Sequence, residues 1–330
     1  EYVKGYMLTE ILKQWIFSKR PEYAETRAAF DTVFDISVGY DLKGITSPQV
    51  RNWMEQMRNA SSIIEELRKA VPDEFRKYRD LPFRAQISDS ITLSTFHGAP
   101  ADEIEKICEF LLCEMDFHLV VKMNPPMLGK EKLEHLLYDR MNYRDIEVNP
   151  AAYQSGLAFP DAVSMIKRLH VMAMKNGKTL GVKFGNTLEV INKGSFFKDK
   201  VQYLSGQPLH VLHLALVHEW RKIFGPEFPV SFSAGVDALN FSRCVATGMV
   251  PVTMCTDLLR PGGYGRLGKY LLNLERAMKS AGAATIRDFI IRSCLLRDHP
   301  LQDHNGASCG KQVFNDAVLA NHSRIEIDVN

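Results

Sequence analysis

The chain has 330 residues, with 41 Lys and Arg against 39 Asp and Glu and a formal net charge of +2. That balance gives no electrostatic case for nucleic acid or an anionic membrane surface, and no stretch approaches 18 consecutive apolar residues, so no membrane-spanning helix is expected. Hydrophobic residues make up 45% and charged residues 24%, the balance of a folded protein with a large buried core rather than of a disordered chain.

Taken in chain order, short apolar runs alternate with amphipathic segments, which predicts an α/β protein. A helical opening around Thr9 to Phe17 precedes a first strand at Val33 to Val38. A helix is expected from Pro48 to Ala70, with Pro48 at a favourable first position. Ile91 to Thr95 reads as a strand and Ala101 to Cys113 as its helix; Phe117 to Met123 is an almost fully apolar strand stopped by Asn124-Pro125-Pro126. A helix at Asp161 to Lys175 leads to a strand at Thr179 to Phe184, and the apolar run Leu209 to Leu216 reads as another. Strands at Pro229 to Ser233 and Val250 to Met254 flank a helix from Asp237 to Thr247, and a helix from Tyr264 to Ser280 follows. These seven strands fit a parallel sheet covered by helices, one short of an eight-stranded barrel. The missing strand is expected between Ala70 and Ser88, and residues 298–330 read as an extension of a domain spanning 1–297.

Six scattered cysteines, Cys108, Cys113, Cys244, Cys255, Cys294 and Cys309, form no C-x-x-C pair. Zinc and iron–sulfur spacing is therefore missing, no metal site is predicted, and a reducing, cytoplasmic compartment is expected. No signal peptide follows Glu1, and the missing initiator methionine leads us to expect a piece of a longer protein.

The unusual residues gather just after the strands. Ser37, Val38 and Gly39 end the first, Asn124 follows the third, and Lys183 precedes Phe184-Gly185-Asn186. Ser233-Ala234-Gly235 and Cys255-Thr256-Asp257 end the last two. In barrels the strand C-termini form the active face, with a phosphate site common after the seventh and eighth strands. Ala234 and Gly235 would let backbone approach a phosphate at the N-terminus of a helix starting near Asp237, with Cys255 and Thr256 as the second half of the cradle. The plainer alternative is a tight turn. Arg266 in Gly262-Gly263-Tyr264-Gly265-Arg266 either joins that cradle or sits in a loop, and the loop is favoured.

Lys183 lies in an apolar strand, where an unpaired ammonium is costly. It faces an electron-rich or anionic ring, forms a Schiff base with a carbonyl substrate, or snorkels to the surface; its strand-end position argues against the last. Lys122 lies in a similar strand with its face undetermined. His210 and His213, in a strand, would point to opposite faces, so with His218 they read as ordinary histidines rather than metal ligands. His97, after the second strand, is the histidine best placed for acid–base work.

These residues carry a family resemblance over about Val33 to Ser280. S-V-G-Y-D-L-K-G (Ser37 to Gly44) resembles the A-A-G-F-D-K-x-G loop of membrane-associated dihydroorotate dehydrogenases, and L-G-V-K-F (Leu180 to Phe184) resembles their flavin-lysine strand. P-V-S-F-S-A-G-V-D-A (Pro229 to Ala238) and V-T-M-C-T-D-L (Val252 to Leu258) are similar to their phosphate loops. A closer match is the first barrel of the bacterial selenate-reductase-subunit family, iron–sulfur flavoproteins related to dihydropyrimidine dehydrogenase and the glutamate synthase small subunit. Ile87 to Ile107, Val121 to Glu131, Gly181 to Val190, Ser231 to Phe241 and Cys255 to Leu267 carry it together.

The resemblance implies a TIM (β/α)8-like barrel of the FMN-linked oxidoreductase type. Ser37 and Gly39 would lie near the flavin ring, Lys183 at its N1/O2 edge, and Ala234, Gly235, Cys255 and Thr256 at its phosphate. Asn124 would face flavin or substrate, and Asn186 substrate. Electrons would come from a partner domain or subunit holding FAD and an iron–sulfur cluster, neither of which has a motif in this chain, and pass to an oxidised small molecule such as a urate-like purine. Three departures argue against dihydroorotate as substrate: Met127 where a Cys or Ser base belongs, Leu42 in place of Lys, and Asp257 beside the phosphate loop. The alternatives are a Schiff-base lyase or aldolase using Lys183, and a structural or interaction subunit without cofactor.

Overall fold

The computed structural model describes residues 1–23, 31–95, 99–154, 156–295 and 318. One sheet has five strands: β1 (Ile36–Val38), β2 (Ser90–Leu93), β3 (His118–Met123), β4 (Leu180–Phe184) and, beyond a separate hairpin, β7 (Val230–Phe232). Their order is β1-β2-β3-β4-β7. β1 pairs parallel with β2, and β4 with β7, which bears out the parallel α/β architecture. The hairpin, β5 (Leu188–Ile191) with β6 (Val201–Leu204), is antiparallel and lies in a stretch where no strand was expected. Between its strands, Asn192 Nδ2 donates to the Phe197 and Asp199 carbonyls and fixes the connection.

Four expectations fail. Leu209 to Leu216 is not a strand but part of a helix, Pro208–Phe224. The apolar run is too uniform for periodicity to separate the two, and length decides: it continues through His218-Glu219-Trp220-Arg221 to Phe224, where Gly225 at φ +73 ends it. The strand sought between Ala70 and Ser88 does not form; Asp73–Tyr78 is a 3-10 helix there. Residues Val250 to Met254 contribute a single parallel bridge, Phe232 to Val252. The expected helix from Pro48 is two, Pro48–Arg58 and Ser61–Lys69, broken where Asn59 Oδ1 accepts from the Ser61 N–H. The extension at 298–330 lies outside the described residues apart from Val318, which is buried near Gly248.

The chain divides into two compact units. The first comprises Glu1–Ser94, Glu105–Val120 and Leu169–Thr179; the second comprises Thr95–Ile104, Val121–Arg168 and the described part of Leu180–Asn330. In the first, Asp35 leads into β1 and accepts from Ser90 Oγ at 3.0 Å. Asp116 in the same unit takes Arg58 at 2.6 Å and Lys178 at 2.7 Å. The second unit is organised around Trp220, which is fully buried and meets Phe159, Phe184 and Phe224 at ring-centroid distances of 6.0, 5.8 and 4.4 Å. Such ring pairs contribute about 0.5–1.5 kcal/mol each beyond the area they bury. Phe184 is also the residue after Lys183, so this core anchors the end of β4 on which the lysine stands.

Candidate functional site

The polar residues at the strand ends of the second unit form a connected set. Asn124, after β3, and Asn186, after β4, are both buried, and Asn186 Nδ2 donates to Asn124 Oδ1. The same Nδ2 donates to the Thr95 carbonyl at 3.1 Å, while Thr95 Oγ1 donates to the Lys122 carbonyl at 2.7 Å. Asn186 Oδ1 accepts from the Thr187 N–H at 3.1 Å. Buried amides with partners on several strands hold fixed orientations, because an unpaired one is costly.

His213 closes this set from the helix Pro208–Phe224. Its Nε2 is 2.8 Å from the Asn186 carbonyl, which can only accept, so the ring carries its proton on Nε2. Nδ1 is buried with no hydrogen-bond partner among the described residues. Burial pushes the imidazole down to about 4, and the Lys122 ammonium pushes in the same direction, so His213 is neutral at physiological pH. His210, one helical turn away, sets Nδ1 2.8 Å from the Ala234 carbonyl. The two histidines therefore do not point to opposite faces, as a strand would require; three residues apart on a helix they are neighbours.

Three backbone segments meet where the sequence assigned a phosphate cradle. A small cavity of about 20 Å³ is lined by Gly206, Gln207, Ser233, Gly235, Asp237, Cys255, Thr256 and Arg260, among others. Of the residues the sequence assigned to a phosphate, Gly235, Cys255 and Thr256 line this cavity and Ala234 is not among its lining residues, whereas Gly206 and Gln207 carry no sequence signal. Gly235 has φ +52, and a Cβ on it would fall 2.6 Å from the Gly206 carbonyl oxygen, so only glycine fits. The helix expected to start near Asp237 begins at Phe241 and is six residues long. Asp237 instead makes a turn: its Oδ1 accepts from the Leu239 and Asn240 N–H groups, and its own N–H donates to Asn240 Oδ1. Those donors are occupied, so a helix N-terminus is not what this cradle offers.

Asp257 is held away from any anion by its own partners. Arg266 donates to both carboxylate oxygens, at 2.7 and 3.0 Å, and Tyr270 Oη donates at 2.7 Å. Arg266 holds the carboxyl below its usual range, with Tyr270 adding to the effect. The departure noted at Asp257 is thus neutralised internally, and Arg266 is committed to it rather than to a phosphate.

Lys183 is half-buried at the end of β4, in register with Ser231 of β7. Lys122 is half-buried on β3, and its ammonium is pushed down from the usual lysine range by burial and by Lys183; Cys255 acts in the opposite sense. The sequence left the face of Lys122 undetermined, although a second lysine inside an apolar strand was a signal. In the first unit, Ser37 is exposed between buried Ile36 and Val38, and a Cβ on Gly39 would lie 3.3 Å from the Ser94 carbonyl oxygen. His97 lies outside the described residues.

Comparison with known proteins decides the family. Residues 1–295 match the family described as oxidoreductase YgfK, N-terminal TIM-barrel domain. The chain belongs to that family. It is 31% identical over 294 residues to the protein named "Putative oxidoreductase YgfK" from Escherichia coli K12, and equally to the one from strain O157:H7. Each alignment covers 83% of this chain and 28% of the relative, so the chain spans little more than a quarter of those proteins. Among solved structures, ligand-free DHODH from Eimeria tenella aligns over 69% of this chain and 68% of its own, with 15% identity and a TM-score of 0.36. The ferulenol complex of that enzyme aligns over 72% and 67%, with 13% identity and the same TM-score. No described helix is long and apolar enough to cross a membrane.

Proposed function

We propose that this barrel is the flavin-binding part of a larger oxidoreductase and that it reduces a small oxidised molecule. Membership of an oxidoreductase family supports the reaction class. The observation that carries the flavin reading is the strand-end pair Lys122 and Lys183, half-buried beside the Asn124–Asn186 amides. FMN supplies the two-electron chemistry when bound. Lys183 and Lys122 offer positive charge to an electron-rich ring edge. Asn124 and Asn186 offer an amide edge that orients a ring or substrate by hydrogen bonds.

Gly235, Ala234, Cys255 and Thr256 are the proposed phosphate residues. A 20 Å³ space holds about one water, so a phosphate enters only if the lining residues rearrange. The narrower assignment places the chain with the selenate-reductase-subunit proteins. In it, electrons arrive through FAD and an iron–sulfur cluster elsewhere in the longer protein, and the acceptor is a purine-like heterocycle.

Titration with FMN, followed by flavin absorbance and fluorescence, tests this reading. Saturable binding that weakens in Lys183→Ala is expected; a protein that takes up no FMN at micromolar concentration overturns it. One observation favours a second reading. Two neighbouring ammonium groups are a known way to raise the fraction of unprotonated lysine, so an imine-forming role for Lys183 also fits. Borohydride reduction in the presence of a carbonyl substrate would then leave a covalent adduct on Lys183.

A further inference from the structure

β3 and β4 run side by side in one direction. At one end the Thr179 N–H donates to His118 Nδ1 and the Leu119 N–H to the Thr179 carbonyl, both at 2.9 Å; at the other end Asn124 meets Asn186. The offset between partners is nearly constant along the pair, so Lys122 stands beside Lys183. Residues in register on neighbouring strands share a face. Lys183 is in turn opposite Ser231. Two ammonium groups and a hydroxyl thus occupy one row.

Among the described residues, the groups acting on Lys122 come from three elements: Lys183 on β4 repels it, Cys255 after the β7-bridged segment attracts it, and His213 on the helix Pro208–Phe224 is near enough to feel its charge. None of these is a carboxylate. Two half-buried like charges side by side repel one another, and an anion placed between them offsets that repulsion.

We propose that Lys122 is the second cation of this site and that Lys122 and Lys183 together bind a planar group carrying one delocalised negative charge. This rests on the flavin reading above only for the identity of that group. A single cation at a ring edge stabilises charge there; a pair biases the site toward anionic rings over neutral ones and makes Lys122 a binding residue in its own right.

Two measurements test it. Sulfite serves as a probe of FMN-loaded protein: its sulfur lone pair forms a bond to ring N5, and the displaced electron pair is held as negative charge at the N1–C2=O edge, with no proton or further reductant needed. The sulfite dissociation constant, read from bleaching of the flavin absorbance, should rise about tenfold in Lys122→Met, equivalent to about 1.4 kcal/mol, and return toward wild type in Lys122→Arg. An unchanged constant in Lys122→Met overturns the inference while leaving FMN binding intact.

The second needs no flavin. Acylation of Lys122 by acetic anhydride is followed across pH by peptide mass spectrometry, with and without nitrate as a planar monoanion. Nitrate should slow acylation of Lys122, and Lys183→Met should shift its half-point to higher pH. If the protein takes up no FMN yet shows both effects, the cofactor reading falls and the anion pair stands. If neither effect appears, the pair falls.

Discussion

The strand-end network of the second unit and the apolar groove of the first are opposites. The groove has a volume of about 700 Å³ and is lined by Met7, Leu8, Leu12 and Trp15 from one helix and by Leu67, Val71 and Phe75. Its walls are almost wholly apolar, Lys4 being the one charged residue among them. In the strand-end set the Thr95, Asn124, Asn186 and His213 side chains are polar, and each is hydrogen-bonded to a neighbour. The difference teaches that volume alone does not mark chemistry. Fixed dipoles and charges can stabilise a changing charge, whereas an apolar wall only excludes water.

The same contrast predicts how each region responds to change. The largest effect should come from Gly235→Val, which forces a β-branched residue to φ +52 and drives Cβ into the Gly206 carbonyl. Strain and overpacking together should cost about 4 kcal/mol in urea denaturation, and unchanged stability would show that the cradle is loosely packed.

Next is acidification. His213 is neutral in the fold with its imidazole near 4, against an ordinary value of 6.5. As pH falls, the unfolded chain takes up this proton first, so the stabilisation is complete above about pH 6.5 and is lost toward pH 4. The loss should amount to about 3 kcal/mol. His213→Gln should flatten that part of the stability–pH curve; an equally steep curve in the variant would assign the slope to other groups.

Asp257→Asn removes the charge that Arg266 and Tyr270 hold. Arg266 is partly exposed, which reduces the penalty to about 2 kcal/mol. Because the folded carboxyl titrates below its ordinary 3.8, its stabilisation is present above that pH and lost as pH falls through the lower folded value. Thermal melts of Asp257→Asn should therefore converge with wild type only in strong acid.

The smallest effect is expected in the groove. Leu12 is 54% exposed, and Leu12→Ser should shift stability by less than about 0.5 kcal/mol and leave FMN binding unchanged. A change in FMN affinity would remove the distinction between the two regions.

The parallel α/β architecture was legible because strands buried on both faces read as continuous apolar runs separated by amphipathic helices. Asn124, Lys183, Gly235 and Thr256 were legible for a related reason: polar and glycine residues immediately after such runs stand out against them. Three features escaped. The Leu209 to Leu216 run carries no periodicity that separates strand from helix, and that choice decides whether His210 and His213 diverge or adjoin. The commitment of Arg266 to Asp257 depends on a 3-10 turn and on Tyr270 reaching back across the chain.

Lys122 could not be assigned a face until its register with β4 was known. The sequence by itself placed the five strands of the parallel sheet, β1 to β4 and β7, and the polar residues that follow them, because burial and local backbone preference act over a few residues. Tertiary structure alone decided which charges meet. Ion pairs, buried amides and like-charge neighbours are set by strand register and by contacts between residues as distant as Asn186 and Thr95, and no local pattern encodes that pairing.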